Sequence, residues 1–222
     1  PYLYMPYLRS VNHYHNPLTD EGFSGIFGGV FLSGMSAIDW ATRPMGTQSP
    51  GGYFSWADAR NYYYLALASF DGTGRDGHLA DTFRGLGQLM HLVQDMSVPE
   101  HTRDDGHLFY NYEDWVKNNP SEILAAVRNP VNYGGTIQSI SNLFGTNQYN
   151  ETNPDPNVTL NGNIGLSEFT SANFLSWDTM FSGFPYPSLA GVELWTDSSN
   201  DRRYLKKTSE AVPVEHLAVT SF

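Results

Sequence analysis

The clearest hydrophobic pattern in the chain lies between Leu79 and Met96, where Leu79, Phe83, Leu86, Met90 and Val93 recur at steps of four, three, four and three. That spacing is the stripe of an amphipathic helix, and at about 100° per residue it gathers Arg84, Gln88, His91 and Asp95 on another face. Asp71-Gly-Thr-Gly74 reads as the turn that precedes this helix, and Pro99 ends it. An earlier helix is predicted from the N-cap Ser55 through Trp56-Ala-Asp58 to Phe70, a stretch without Gly or Pro. Further helices are expected over Tyr110 to Lys117, Ser121 to about Arg128 and Ser167 to Phe181, with weaker helical character over 201–208 and 215–219. Pro1 to Pro50 reads as loop apart from a helix near its start, and Asn129 to Gly165, rich in Asn, Gly, Pro and Thr, reads as a long excursion. No repeat of fixed period and no alternating strand-turn-strand pattern stands out. The expected class is therefore all-α, one multi-helix domain over 1–222 with long Gly/Asn/Pro-rich loops.

Composition narrows the chemistry. With 222 residues and 40% hydrophobic content the chain can bury a substantial core. Its 23 acids against 12 bases give a net charge of −11, which argues against non-specific wrapping of nucleic acid; an anionic partner would need a local cation. No run approaches the ~18 to 20 apolar residues of a membrane span, so no stable membrane insertion is expected. A start at Pro1 without Met suggests a processed or trimmed piece of a longer chain. The absence of Cys removes disulfides, thiolate nucleophiles and Cys-type zinc sites, so any metal must use His, Asp and Glu. Few Lys beside many Tyr, Trp and Asn fits a secreted or extracytoplasmic protein.

The densest set of metal-capable side chains is the segment from His91 through Asp95 and His101 to His107. His91 and Asp95 stand at i and i+4, so a helix points both to one face, and Pro99 turns the chain so that His101 and His107 can come back toward them. Zinc suits this donor set. Asp58 has two readings, since Ser55-Trp-Ala-Asp58 also fits a capping box in which the acid bonds back to the backbone. His13 and His15 form a second, more remote pair of candidates.

At these residues the chain resembles a family. His91-x-x-x-Asp95-x-x-x-x-x-His101 looks like the core motif of zinc-dependent phospholipases C and S1/P1 nucleases, and Ser55-Trp-Ala-Asp58 resembles the Trp-Ala-Asp stretch of the nuclease branch. The resemblance implies a mostly helical fold with up to three zinc ions in a cleft that hydrolyses phosphodiesters. It implies that Asp58, His91 and Asp95 share one zinc, that Asp95 bridges to a second held by His13 or His15, and that His101 and His107 take a third. Glu113 is the acid expected beside them, with Asp105 a rival, and Asp58 and Asp95 are the expected catalytic carboxylates. Two departures stand out: residue 1 is Pro where the family has a metal-binding Trp, and His78, the sole candidate for a further family His, falls in an Asp/Gly-rich stretch.

The substrate implied is a phosphodiester, either a phospholipid head group, which leads, or a single-stranded nucleic acid. Arg84 or Arg103 is a candidate phosphate contact, and Tyr62, Tyr63, Tyr64, Phe109 and Trp115 are candidates to stack on a base or hold a choline group. A non-catalytic extracellular module stapled by metal is the alternative from another class, and no protein partner is predicted.

Overall fold

The computed structural model describes residues 9–25, 33–49, 52–106, 112–118, 120–121, 140–145, 165–174, 176, 193–197, 202–208 and 215–220. Up to residue 176 the regular elements are helical. A 3-10 turn, Val11–His13, leads to α1 (Ala37–Ala41), and α2 (Trp56–Ala68) and α3 (Gly72–Asp95) follow as the two longest helices. After them come α4 (Pro99–Thr102), α5 (Tyr112–Asn118), α6 (Ile140–Phe144) and α7 (Leu166–Asn173). The described residues are thus mostly helical, in keeping with the expected class.

The last segments depart from it. Glu193–Asp197, Arg202–Thr208 and Glu215–Thr220 form an antiparallel sheet in the order β1-β2-β3, with Trp195 opposite Tyr204 and Tyr204 opposite Val219 in the Cα register. The helices expected over 201–208 and 215–219 are corrected to strands. Leu205, Lys206 and Lys207 are good helix formers taken alone, but propensity is a weak prior that strand pairing overrides.

Helix starts follow the local chemistry. Ser55 caps α2 with a full capping box, and Asp71 caps α3 by accepting the Gly74 N–H at 2.6 Å. Asp71-Gly-Thr-Gly74 is therefore the cap and first turn of α3 rather than a separate turn, and His78 lies within the helix. The short α5 falls where Tyr110 to Lys117 was expected, whereas α7 stops at Asn173, with Phe174 extended at φ −121° and ψ 145°. The Ser121 to Arg128 helix lies outside the described residues beyond residue 121, and α6 is a helical piece inside the predicted excursion.

The core joins α1 to the C-terminal part of α3. Trp40, Leu92, Met96 and Phe144 are almost fully buried, with Ala37, Ala41, Ala59 and Leu89 between them. The buried stripe of α3 is Thr82, Gly85, Leu89, Leu92 and Asp95, while Phe83 and Met90 stand 68% and 63% exposed. The predicted stripe is thus met in part: Leu86 and Val93 pack half-buried against the core, while the fully buried positions run one residue earlier. Gly85 explains the shift: a Cβ there would come within 3.0 Å of the Ala59 Cβ, so α2 and α3 meet through small residues at a crossing that a larger side chain would push apart.

Candidate metal centre

Three pieces of chain converge on Asp95. It ends α3, where it is buried to 3% of its side-chain surface, and His91 stands one turn earlier on the same helix. Pro99 sits in the first turn of α4, and that helix reverses the chain so that His101 comes to 3.6 Å from Asp95 Oδ1 through its Nδ1. The N-terminal loop supplies His13, whose Nδ1 lies 3.1 Å from Asp95 Oδ2, with His91 Nε2 at 3.7 Å from the same oxygen. A backbone hydrogen bond from His15 N to the His101 carbonyl, 3.0 Å, ties that loop to α4.

These contacts resolve into two donor groups with one residue in common. His13, His91 and Asp95 offer ligand atoms within 4.8 Å of one another, and so do Asp95, His101 and Glu113. The carboxylate divides between them, Oδ2 toward His13 and His91 and Oδ1 toward His101. Both groups can hold a metal ion, and the donor chemistry of imidazole and carboxylate suits one. Asp95 Oδ2 is buried without a properly directed hydrogen bond, although His13 Nδ1 and His91 Nε2 surround it. Such convergence of donor atoms on one carboxylate suits a common cation. The electrostatics agree: burial alone would raise the Asp95 pKa, but the imidazoles of His101 and His13 outweigh it and hold the carboxyl well below the usual range. Asp95 is ionised and ready to ligate near neutral pH.

Second-layer contacts fix the donors. The His101 ring packs on Tyr14 at 4.6 Å between centroids, and Tyr14 stacks in turn on Phe23 at 4.5 Å. Burial, reinforced by Asp105, Glu100, Glu113 and Asp104, pushes the Tyr14 phenol far above its ordinary pKa. His13 meets His91 edge-on at 4.9 Å and lies 6.3 Å from the Trp40 ring. Glu100 Oε1 accepts the Tyr112 N–H at 3.1 Å, which anchors the start of α5 and so places Glu113. That role was not read from the sequence, although a buried acid adjoining His101 is its signal. On the open side His91 is 52% exposed and Glu113 is exposed, so the cluster has a wet edge and a dry floor.

Other expected residues fall elsewhere. Asp58 belongs to neither donor group: its Oδ2 accepts from Ser55 N at 3.0 Å and Ser55 Oγ at 2.7 Å, and its Oδ1 accepts from Gly46 N at 2.9 Å. Gly46, at φ 74°, makes the left-handed turn that presents this N–H. Asp58 is thus a cap and a loop clamp in the structure, which does not bring this expected ligand and catalytic carboxylate into either donor group.

His15 also stands apart from the two groups. It is fully buried and shares a hydrogen bond with Ser36 Oγ through Nδ1 at 2.9 Å. His107 lies outside the described residues. Glu113, rather than its rival Asp105, joins the second group. Of the expected phosphate contacts, Arg84 lies over the Phe54 ring at 4.6 Å, and Arg103 is buried with Nη1 donating to the Ser171 carbonyl at 2.8 Å. Tyr63 and Tyr64 are exposed on α2; Phe109 is outside the described residues. Compared with family models, with curated proteins and with solved structures, the chain finds no match.

Proposed function

We propose that this chain is a zinc-dependent phosphodiester hydrolase of the phospholipase C type, with His13, His91, Asp95, His101 and Glu113 as its metal-holding residues. The observation that carries the reading is the buried Asp95 carboxylate, which offers one oxygen to each of two histidine-containing donor groups. A carboxylate so placed is the usual way to hold two cations at a fixed spacing, and paired cations suit the displacement of an oxygen at phosphorus. Zinc supplies Lewis acidity there: it lowers the pKa of water toward ~7 and neutralises charge that develops on phosphoryl oxygens.

The chain's own residues set the rest. Asp95 and His101 form the buried floor, while the exposed edges of His91 and Glu113 leave room for a substrate to approach from solvent. That open edge favours catalysis over a purely structural staple, whose ligand shell is closed. A net charge of −11 disfavours long polyanions, so a phospholipid head group stands ahead of single-stranded nucleic acid as substrate.

The test is metal analysis together with hydrolysis of bis(p-nitrophenyl) phosphate, a short-chain phosphatidylcholine and single-stranded DNA, each with zinc, with chelator and with zinc restored. Zinc bound by both donor groups and chelator-reversible cleavage of the lipid supports the reading. Cleavage of DNA alone moves it to the S1/P1 nuclease type. Zinc binding without cleavage of any of the three leaves a metal-stapled module.

A further inference from the structure

The N-terminal segment lies against α3 as a short ladder. His13 forms one rung, meeting His91 at 4.9 Å and Asp95 at 3.1 Å. Arg9, four residues earlier, forms the next rung: its Nη2 donates to Gln88 Oε1 at 2.7 Å, and Gln88 precedes His91 by three residues on α3. The spacing on both sides is close to one helical turn, a rise of about 5.4 Å, so the guanidinium is carried next to the metal centre. Trp40 supports both rungs. Arg9 Cζ lies 5.4 Å from the indole centroid, and the His13 ring lies 6.3 Å from it.

Among the described residues no carboxylate pairs with the guanidinium, and its Nε is buried with no hydrogen-bond partner. Asn12 Nδ2 and Trp40 Nε1, on the residue before His13 and on the ring that both rungs touch, are also buried donors without an acceptor. A cation fixed by stacking and by a neutral amide, in donor-rich surroundings, has been placed without being neutralised. Unlike Arg103, whose Nη1 donates to the Ser171 carbonyl, and Arg84, which lies over Phe54, it is held by the residues that flank His13 and His91.

We infer that Arg9, held by Gln88 and Trp40 one rung from His13 and His91, forms an anion subsite that receives a phosphodiester oxygen beside the metal centre. This rests on the hydrolase reading for its substrate but not for its binding chemistry. Arginine suits the role because its planar fork pairs with phosphate oxygens, which lysine meets only as a point charge.

The probe is dimethyl phosphate, a diester monoanion that resists hydrolysis, titrated by calorimetry into the zinc-loaded protein, with zinc content measured on the same samples. Arg9→Gln should weaken dimethyl phosphate about tenfold and raise KM for bis(p-nitrophenyl) phosphate similarly, with zinc content unchanged; Arg9→Lys should lose about threefold. Wild-type protein that does not bind the probe, or Arg9→Gln that binds it equally well, overturns the inference. So does a loss of zinc in Arg9→Gln, which would make Arg9 a support of the cluster. Should Arg9→Gln fail to fold, Arg9→Lys decides, and unchanged binding in that variant is also refuting. Arg9-dependent binding by a protein that cleaves no diester sustains the subsite and sinks the hydrolase reading; cleavage with no response to Arg9→Gln does the reverse.

Discussion

His15 gives the most quantitative test of how the structure separates core histidines from ligands. It is fully buried, and only Ser36 Oγ serves its Nδ1, while Nε2 has no hydrogen-bond partner among the described residues. An imidazolium needs an acceptor at each nitrogen, so protonation in the folded chain is opposed. Burial pulls the pKa down to about 4, against a smaller upward pull from Glu168 and Asp39. The Asp20 carboxylate, 3.9 Å from Nδ1, is itself exposed. The unfolded chain takes up this proton near pH 6.5 and the folded chain only near 4, so folding is stabilised by neutral His15 above 6.5 and loses that stability as pH falls through the window between. From pH 7 to pH 5 the loss is about 2 kcal/mol. In urea that lowers the midpoint by ~1 M for a slope of about 2 kcal/mol/M. The measurement is urea denaturation of chelator-treated wild type and His15→Phe across this range. Other groups titrate alike in both chains, so the difference between them isolates His15. A difference that stays flat from pH 7 to pH 5 would refute the burial argument, and a loss of zinc in His15→Phe would return His15 to the ligands.

Three further outcomes follow from the geometry. Asp95→Asn keeps the shape but removes the shared carboxylate, so calorimetry should show zinc binding weakened at both donor groups and diester hydrolysis should fall at least ~1,000-fold, since each lost effect of several kcal/mol counts tenfold per 1.4. Zinc at about 100 times its Kd should stabilise the folded chain by roughly 2.7 kcal/mol, raising Tm in a thermal scan, and Asp95→Asn should blunt that rise. Gly85→Leu forces a side chain into the crossing of α2 and α3, where even a Cβ meets Ala59 at 3.0 Å; denaturation should show a loss of about 1–3 kcal/mol, and no loss would mean that the crossing is looser than drawn.

Local chemistry was legible where a few neighbouring residues decide it. The i, i+4 placement of His91 and Asp95, the return at Pro99 and the cap at Ser55 each depend on contacts within a turn or two, and the structure contains all of them. Asp58 illustrates the limit. Its capping geometry was written in four residues, but the bond that its other oxygen accepts, from Gly46, depends on a loop twelve residues away that no spacing rule encodes. His13 was one of two equivalent candidates, and what separates it from His15 is the way the N-terminal loop lies: His15 faces Ser36 and the interior, whereas His13 faces Asp95. The strands at 202–208 and 215–220 were invisible for a related reason, since strand pairing is decided by the partner strand as much as by the residues themselves.

The shifted stripe of α3 and the burial of Asp95 are one fact. With Leu79, Phe83, Leu86, Met90 and Val93 turned inward, the face carrying Arg84, Gln88, His91 and Asp95 would look away from the core, and Asp95 would be a solvated acid. Packing Gly85 against Ala59 turns the helix by about 100°, one residue's worth of rotation, so the inward face becomes Thr82, Gly85, Leu89 and Leu92. Asp95 then lies at the edge of that face, buried against His13 and His101, while His91 stays half exposed beside it. The rotation leaves Phe83 and Met90 in water, an unfavourable exposure of apolar surface on its own. A helix that gives up two large apolar contacts to set a carboxylate among imidazoles is arranged around its polar edge, and the small residues at the crossing make that arrangement sterically possible.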